Sequence, residues 1–561
     1  MNQSLTNPNL NNDFTKNSLD LFYTCGIRTI FAIPGAHIEH FILEVANDSR
    51  FQLIIAAHEE GAGFLADGYF RKSHEIPVVA TINGPGATNL MTSIATAQLD
   101  HSSVLYLTGD TAYQIKDKLG FQTSSVLDNY TVHCIKTIVS KQLVPISFND
   151  LYQGIMQYTN DFKHKKYYPM HINLHNDISK SFSTQIQTIK LDEPKYSTKD
   201  FHFYLDHSVV VFGEEYRDEN DLKQIIDYCS IHRIPMVCTL GAKNMQALIP
   251  EDLFCGVYGY AGHLSAIDLV SNSMVKKVYF LNTELNERNT MNWSPRLFQT
   301  DREIFVINRE KIEHGISEFN IQSFECSMSE FVRGCFVNEV NEDWFSQYTY
   351  HTKVKDIEPN KALEMDSSLM IMNQHIHKSS NFFLDSGDHR IYGSIFWDVR
   401  YPNTFFTASK TAPMGWAIGA AIGASFADRN QVNWVLTGDG CMLMHGNEIS
   451  VAQRYHANVK FIVINNGSYG RIEYRLLKED DRIKDKISRL PKTSWANYAN
   501  SFGIPAICVQ TEQELLSAIE VAQNYNGPYL IEIMIKIDHE VDIKTIFSST
   551  ANNFKPFWEV E

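Results

Sequence analysis

Strand-like apolar runs alternate with helical patterns along almost the whole of this chain of 561 residues. In the first third, the pattern predicts strands at residues 53–57, 77–82 and 104–108, with helices at residues 61–71 and 88–99 between them. Strands joined by helices in this order form parallel sheets that are covered by helices on both faces. We therefore predict an α/β fold built from doubly wound parallel sheets.

The length of the chain exceeds what one hydrophobic core can organise, and domains of roughly 100–200 residues predict about three of them. A polar stretch at residues 180–199 lacks periodicity and is predicted to be a linker. The strand pattern resumes after it, and again near Pro359 after an irregular stretch. We predict a first domain at residues 1–180, a central α/β domain at 195–340 and a third domain at 359–545.

Charge and cysteine usage exclude several classes of protein. The chain has 49 basic and 65 acidic residues, which gives a net charge of −16 and disfavours binding to nucleic acid or to an anionic membrane. Its nine cysteines form no C-x-x-C pair, which fits a reducing compartment. The N-terminus is polar, and the Gly/Ala-rich run at residues 414–427 is too short to span a bilayer. We expect a cytoplasmic protein.

The most informative stretch begins at residue 432. Its pattern predicts a buried strand, a tight turn at Gly438-Asp439-Gly440, a helix at residues 446–455, a second strand and then Asn465-Asn466. In a right-handed βαβ unit both strand ends lie at the same sheet edge, so Asp439 and Asn466 should meet although 27 residues separate them. A carboxylate and an amide oxygen suit Mg²⁺, and glycines let backbone amides approach a phosphate.

Two ordinary turns could contain the same residues, and a single Gly-Asp-Gly is weak evidence. The combination resembles the diphosphate-binding motif of thiamine-diphosphate-dependent enzymes, and several other segments agree with it in order and spacing. The matching segments are Phe31-Ala32-Ile33-Pro34-Gly35, His58-Glu59-Glu60-Gly61 (the family's H-E-Q-G), Ala66-Asp67-Gly68-Tyr69, Gly84-Pro85-Gly86-Ala87-Thr88-Asn89, Phe121-Gln122 with Lys136, and Ala412-Pro413-Met414-Gly415. The resemblance is to the acetolactate synthase-like branch, and it is poor in the central domain.

The resemblance implies a catalytic role for Glu59, as the partner of pyrimidine nitrogen N1′ of the cofactor. A carboxylate in an apolar site can exchange a proton there and so activate carbon C2. Taken alone, Glu59 is better explained as an acid that stabilises a helix N-terminus. In the context of the other segments we favour catalysis.

The remaining site residues are also implied by the resemblance. Met414 corresponds to the bulky residue beneath the thiazolium ring, and the carbonyl of Ala412 would accept from the 4′-amino group. Ser468 would supply a backbone oxygen to Mg²⁺, and Gln122, beside Phe121, would lie near the substrate. Further cofactor contacts are expected at Pro34, Gly35, Gly84, Pro85, Asn89, Gly387, Asp388, His389, Gly438 and Gly440. Asp388 stands where acetolactate members often have Gln.

The chain departs from biosynthetic acetolactate synthases in two places. In the central domain, the turns Phe212-Gly213-Glu214-Glu215 and Leu281-Asn282-Thr283-Glu284 place acids where FAD phosphates would approach, so we expect no FAD. After Asn466, Arg475 stands where a Trp is typical, and Arg471 and Lys410 add positive charge. These cations could face an anionic substrate or could be solvated surface residues.

These observations favour an enzyme that decarboxylates a 2-keto acid and ligates the acyl unit to an acceptor. A simple 2-keto acid decarboxylase, or an enzyme that cleaves or decarboxylates acyl-CoA, could use the same fold. A cofactor-binding relic without activity need not retain Glu59, Asp439, Asn466 and Met414 together. The family also implies a homodimer or homotetramer in which Glu59 and Asp439 of one site come from different chains.

Overall fold

The structure is a computed structural model that describes residues 13–115, 118, 122, 130–177, 202–214, 219–308, 321–337, 344–479 and 482–535. The predicted linker at residues 180–199 lies outside this range. In the described part of the chain, no helix is both long enough and apolar enough to cross a membrane.

The first sheet contains six strands, all parallel, in the order β2-β1-β3-β4-β6-β5. Its strands are β1 (Thr29–Ala32), β2 (Gln52–Ile55), β3 (Val78–Ile82), β4 (Leu105–Asp110), β5 (Lys141–Leu143) and β6 (Met170–His175). Its helices are α1 (Phe14–Thr24), α2 (Glu39–Asn47), α3 (Glu59–Ser73), α4 (Pro85–Asn89), α5 (Met91–Leu99), α6 (Tyr130–Ile138) and α7 (Phe148–Lys163), with a short 3₁₀ helix at Tyr113–Ile115.

The central domain has a short parallel pair, β7 (Phe203–Tyr204) with β14 (Cys335–Phe336), and a six-stranded parallel sheet in the order β10-β9-β8-β11-β12-β13. The sheet strands are β8 (Ser208–Phe212), β9 (Met236–Cys238), β10 (Phe254–Val257), β11 (Lys277–Leu281), β12 (Glu303–Asn308) and β13 (Ile321–Glu325). The helices are α8 (Glu219–Ile231), α9 (Leu264–Ser271) and α10 (Met328–Arg333), with 3₁₀ helices at Leu240–Ala247 and Ser346–Tyr348. This strand order is that of doubly wound dinucleotide-binding folds, with its switch point between β8 and β11.

The third sheet repeats the topology of the first, in the order β16-β15-β17-β18-β20-β19. Its strands are β15 (Asn381–Leu384), β16 (Phe405–Phe406), β17 (Asn433–Gly438), β18 (Val459–Asn465), β19 (Ala506–Val509) and β20 (Tyr529–Met534). Its helices are α11 (Met365–His375), α12 (Asp388–Phe396), α13 (Trp416–Ala427), α14 (Asp439–His445), α15 (Ile449–Arg454), α16 (Gly470–Glu479), α17 (Lys484–Ser488), α18 (Trp495–Ser501) and α19 (Glu512–Asn524), with a 3₁₀ turn at Gly446–Glu448. The prediction of doubly wound parallel sheets is confirmed.

Helices α3 and α13 pack closely against each other and join the first sheet to the third in one hydrophobic core. A Cβ atom built on Gly68 would lie 2.0 Å from the carbonyl oxygen of Ala420, and one on Gly423 would lie 1.8 Å from that of Leu65. Only glycine allows the two backbones to approach this closely. The Gly/Ala-rich run in the sequence is therefore a buried packing helix.

One local prediction around the Gly-Asp-Gly motif was wrong. Gly438 is the last residue of β17, and α14 begins directly at Asp439 instead of after a tight turn. The helix predicted at residues 446–455 occurs as a 3₁₀ turn at Gly446–Glu448 followed by α15.

Candidate active site

The carboxyl edge of the third sheet brings the two predicted metal ligands together. Strands β17 and β18 pair in parallel with Gly438 opposite Ile464, so Asp439 and Asn466 leave the sheet side by side. Asp439 Oδ2 accepts a hydrogen bond of 2.7 Å from the backbone N–H of Gly467. Asn466 Oδ1 accepts one of 3.0 Å from the backbone N–H of Ser468.

The carboxyl group of Asp439 is buried, with only 6% of the residue exposed. Burial raises its pKa to about 6, although the backbone N–H groups of Gly467 and Gly440 act in the opposite direction. A divalent cation bound beside Asp439 and Asn466 would stabilise the charged carboxylate. The donor set, a carboxylate with an amide oxygen, consists of the hard oxygen ligands that Mg²⁺ prefers.

Glycines line the space next to Asp439, where a side chain in their place would clash with neighbouring residues. The Gly387 backbone has a φ of +152°, and a Cβ there would lie 2.5 Å from the His389 ring. A Cβ on Gly440 would lie 2.8 Å from the ring of Tyr469 and 2.9 Å from the terminal methyl of Met414. Backbone amides at such glycines can approach a phosphate group directly.

The side chain of His389 is a further feature of this sheet edge. It is buried, and its Nε2 has no hydrogen-bond partner among the described residues. Burial lowers its pKa to about 3, so the ring is neutral at physiological pH. A buried polar atom without a partner is costly, and a bound polar ligand would satisfy it.

These groups share one cavity of about 620 Å³, which continues from the third sheet towards the central domain. The size and the mixture of polar and apolar walls suit a small-molecule site. The predicted site residues that line it are Gly387, Asp388, His389, Lys410, Met414, Gly438, Asp439, Gly440, Asn466, Ser468 and Arg471.

The carboxyl edge of the first sheet gathers a second set of predicted residues. Glu59 is the first residue of α3, and its Oε2 accepts a hydrogen bond of 3.0 Å from Asn89 Nδ2. Gly84 precedes Pro85 at the start of α4, and a Cβ on it would lie 2.8 Å from the backbone oxygen of Gln122. Pro34 and Gly35 follow β1 at the same edge.

The second set lies apart from the 620 Å³ cavity, although Met414 also lines a separate cavity together with His58 and Glu60. The described residues that line the 620 Å³ cavity include the Asp439 set, but neither Glu59 nor the other predicted residues of the first-sheet edge. The packing of α3 on α13 holds the two edges in fixed positions.

Known protein families match the segments that form the carboxyl edges of the first and third sheets. Residues 19–131 match the N-terminal TPP binding domain of thiamine pyrophosphate enzymes, and residues 385–533 match the C-terminal TPP binding domain of these enzymes. The first match contains Glu59, and the second contains Asp439 and Asn466. The chain belongs to the thiamine-diphosphate-dependent enzymes.

Acetolactate synthase large subunits resemble this thiamine-diphosphate enzyme along nearly its whole length. The Lactococcus lactis protein is 24% identical over 545 residues, which cover 92% of this chain and 91% of the relative. The Cyanidium caldarium protein is 25% identical over 557 residues, which cover 92% of each. The Corynebacterium glutamicum protein is 22% identical over 549 residues, which cover 91% of this chain and 85% of the relative. The chain lies in the acetolactate synthase-like branch of the family.

In this thiamine-diphosphate enzyme, the loop before α13 is held by a residue that the sequence analysis missed. Asp385 is buried and accepts hydrogen bonds from Thr437 Oγ1 at 2.7 Å and from the backbone N–H of Gly415 at 2.9 Å. It thus ties β17 to the segment that contains Met414. The backbone of Ala412 has a φ of +51°, which is strained for a residue with a Cβ. The position of Asp385, between the apolar run at residues 382–384 and the predicted cofactor residue Gly387, was the available signal.

A second missed residue, Glu448, links the third domain to the start of α3. It is fully buried, and burial raises its pKa to about 7. Its Oε2 accepts a hydrogen bond of 3.3 Å from the backbone N–H of Ala57, and a Cβ on Gly61 would lie 2.0 Å from Oε1. Glu448 therefore helps to position the segment that presents Glu59.

The predicted substrate cations have different surroundings. Lys410 lines the cavity, its side chain is 7% exposed, and it forms an ion pair of 3.2 Å with Glu284. Arg471 also lines the cavity and donates to the hydroxyl of Tyr260 at 2.7 Å. Arg475 lies in α16, but its side chain is outside the described part of the structure, as is Phe121.

At the switch point of the central sheet, the backbone after β8 packs closely against the segment after β11. A Cβ on Gly213 would lie 2.1 Å from Thr283 Cβ and 2.3 Å from the backbone oxygen of Asn282. Glu214 lines the cavity and accepts a hydrogen bond of 2.8 Å from Thr239 Oγ1. Glu215 lies outside the described residues.

Proposed function

We propose that this protein uses thiamine diphosphate and Mg²⁺ to decarboxylate a 2-keto acid and ligate the acyl unit to an acceptor carbonyl. The carbonyl carbon of the acceptor gains the acyl unit, its oxygen gains a proton, and CO₂ leaves the donor. The observation that carries the proposal is the meeting of Asp439 and Asn466 in a glycine-lined cavity, in a chain that resembles acetolactate synthases along its length.

Mg²⁺ would bind to the side-chain oxygens of Asp439 and Asn466 and to the backbone oxygen of Ser468. The diphosphate would lie against the backbone of Gly387, Gly438 and Gly440 and against Asp388 and His389. A carboxylate is an unusual neighbour for a phosphate, but Asp388 Oδ2 is directed at the N-terminus of α16, where a Cβ on Gly470 would lie 2.6 Å from it. The positive end of that helix stabilises the charge of Asp388.

Thiamine diphosphate supplies the nucleophilic carbon and the electron sink that decarboxylation requires. Glu59 would hold the proton that is exchanged at ring nitrogen N1′, and Asn89 would orient its carboxyl group. Met414 would fix the bend of the cofactor, and the strained Ala412 would direct its carbonyl to the 4′-amino group. Gln122, with Phe121, would orient the substrate.

Because Glu59 does not reach the Asp439 cavity of its own chain, we propose that the active enzyme is at least a homodimer, either a dimer or a tetramer. The domain carrying Glu59 in one copy would complete the site on the other copy. The central domain would serve as a structural part without FAD, since Gly213 packs against Thr283 at its switch point and the acid Glu214 lies beside it.

The test is product analysis by mass spectrometry, with pyruvate and longer 2-keto acids as donors and acceptors. CO₂ together with a ligated hydroxy-keto product supports the proposal. CO₂ with free aldehyde alone would identify a simple decarboxylase, and turnover of acyl-CoA alone would identify the third possibility. Absence of all three activities from protein that binds the cofactor would contradict catalysis.

Glu59→Gln provides the matching variant. A neutral amide can still contact the cofactor but cannot exchange the proton, so we expect a loss of roughly 10²–10⁴-fold in turnover. Glu60→Gln is the control, because it lies in the same first turn of α3 and creates the residue that the family motif has there. Equal losses in both variants would show that the position, and not the proton exchange, matters.

A further inference from the structure

A short antiparallel contact fixes the loop that contains Ser468. Residues 467–469 lie against residues 488–490, at the end of α17, and Ser468 forms an isolated antiparallel bridge with Arg489. Two backbone hydrogen bonds flank the bridge, one of 2.9 Å from the N–H of Leu490 to Gly467 and one of 2.8 Å from the N–H of Tyr469 to Ser488. The loop that follows Asn466 is therefore paired on one side along its length.

This pairing determines the direction of the backbone groups of Ser468. In an antiparallel ladder, the residue between two such hydrogen bonds directs its own N–H and C=O away from the partner segment. The N–H of Ser468 donates to Asn466 Oδ1 at 3.0 Å, on the side of the proposed metal ligands. We expect the carbonyl of Ser468 on the same side, because the N–H and C=O of an extended residue lie on one side of the strand.

Glu473, on α16, contacts both residues of the bridge. It is fully buried, and its Oε2 accepts a hydrogen bond from the hydroxyl of Ser468. Its Oε1 lies 3.4 Å from Nη2 of Arg489. A buried carboxylate requires charged or hydrogen-bonding partners, so the positions of Glu473 and Ser468 depend on each other.

We propose that Glu473 is a positioning residue of the metal site. By accepting from the hydroxyl of Ser468, it holds the loop against residues 488–490 and keeps the backbone oxygen of Ser468 directed at the cation. This role depends on the proposed Mg²⁺ site, and it assigns no coordination to Glu473 itself. Groups that orient metal ligands are typically worth about 10- to 100-fold in metal affinity.

The test measures the affinity for Mn²⁺, which accepts the same oxygen ligands as Mg²⁺, in protein saturated with thiamine diphosphate. The electron paramagnetic resonance signal of free Mn²⁺ gives the dissociation constant without turnover. We expect Glu473→Ala to weaken Mn²⁺ binding about 10- to 100-fold. Ser468→Ala keeps the backbone oxygen but lacks the hydroxyl, so it should weaken binding similarly, and it is the second variant if Glu473→Ala impairs folding.

Glu473→Gln separates the hydrogen bond from the charge. Its amide oxygen can still accept from the hydroxyl of Ser468, and an ion pair with Arg489, whose side chain is 47% exposed, is worth little. We therefore expect Glu473→Gln to retain most of the Mn²⁺ affinity. An equal loss in Glu473→Gln and Glu473→Ala would overturn the role of the hydrogen bond.

Two controls come from the same domain. Glu512→Ala removes another fully buried carboxylate, which accepts from the backbone N–H of Glu358 at 2.9 Å and pairs with Lys355 at 3.2 Å. It should lower the melting temperature without changing the Mn²⁺ affinity. Asp485→Asn removes an exposed partner of Arg489, 3.1 Å from its Nε, and should also retain the affinity.

The outcomes separate the role of Glu473 from the metal site. Unchanged Mn²⁺ affinity in both Glu473→Ala and Ser468→Ala would overturn the role of Glu473 while the metal site stands, as would an equal loss in Glu512→Ala. Asp439→Ala should abolish Mn²⁺ binding. Binding that survives in Asp439→Ala, or that is absent from the wild type, would refute the metal site and with it the role of Glu473.

Discussion

Arg71 should be the most sensitive contact between the first and third domains. Its guanidinium donates to both carboxylate oxygens of Asp67 at 2.9 Å, to Asp100 at 2.9 Å and to the backbone oxygen of Thr407 at 2.9 Å. The indole of Trp416, at the start of α13, donates to Asp67 at 2.7 Å. The cluster therefore holds α3, which begins at Glu59, against α13, which follows Met414.

The expected magnitude follows from burial. The side chains of Asp67 and Asp100 are 1% and 3% exposed, so Arg71→Met would leave two buried carboxylates without their cation. Removal of one partner of a buried charge pair typically costs about 3–5 kcal/mol. The free energy of unfolding falls by a few kcal/mol per molar urea, so the urea concentration at the unfolding midpoint should fall by on the order of 1 M at neutral pH.

The loss of stability in Arg71→Met, relative to the wild type, should become smaller as the pH falls. Burial, the largest influence, would raise the pKa of Asp100, but in the wild type the charge and hydrogen bond of Arg71, together with Lys410, outweigh burial and hold that pKa below its usual value. Without Arg71, burial dominates, and the folded-state pKa rises above the unfolded value of about 3.9. At pH values between the unfolded and the folded pKa, the folded variant binds more protons than its unfolded chain. Lowering the pH in this range therefore stabilises the variant, by up to about 1.4 kcal/mol per pH unit for each carboxylate whose pKa is raised.

The assay compares urea unfolding midpoints of Arg71→Met and Lys72→Met at pH 7.5 and pH 5.5. Lys72 is the matched control, because it also bridges α3 to the third domain but donates to neutral oxygens, those of Asn381 and Asn403, at 3.1 Å. We expect the Lys72 variant to lose roughly half as much stability or less. The reasoning is refuted if the two variants are equally unstable, or if the deficit of Arg71→Met is the same at both pH values.

Three further predictions concern the site. Asp439→Ala should abolish the thermal stabilisation by thiamine diphosphate and Mg²⁺, which is about 2.7 kcal/mol at a ligand concentration of 100 times Kd; undiminished stabilisation would remove Asp439 from the metal site. Light scattering should show a dimer or larger assembly, and a monomer that remains fully active at nanomolar concentration would contradict the shared site. Arg475→Trp, which creates the residue usual in acetolactate synthases, should lower kcat/KM for anionic acceptors by about tenfold; an unchanged product spectrum would show that Arg475 is a surface charge.

Much of the fold could be predicted because it follows from local patterns. Apolar runs placed the strands predicted at residues 53–57, 77–82 and 104–108 within two residues of β2, β3 and β4. The start of α14 could not be located in this way, because Gly438-Asp439-Gly440 has the composition of a turn. The helix begins at Asp439 because β17 ends there and the buried carboxylate accepts from the N–H of Gly440 at 2.8 Å.

The sequence by itself determined the meeting of Asp439 and Asn466, because consecutive parallel strands joined by a right-handed crossover must end at one sheet edge. It could not determine that Glu59 lies away from the cavity, since this depends on the close packing of α3 on α13. The same holds for the convergence of Arg288 and Arg390 on Ser409. These residues belong to separate segments with no shared periodicity, and only the tertiary structure brings them to one backbone oxygen.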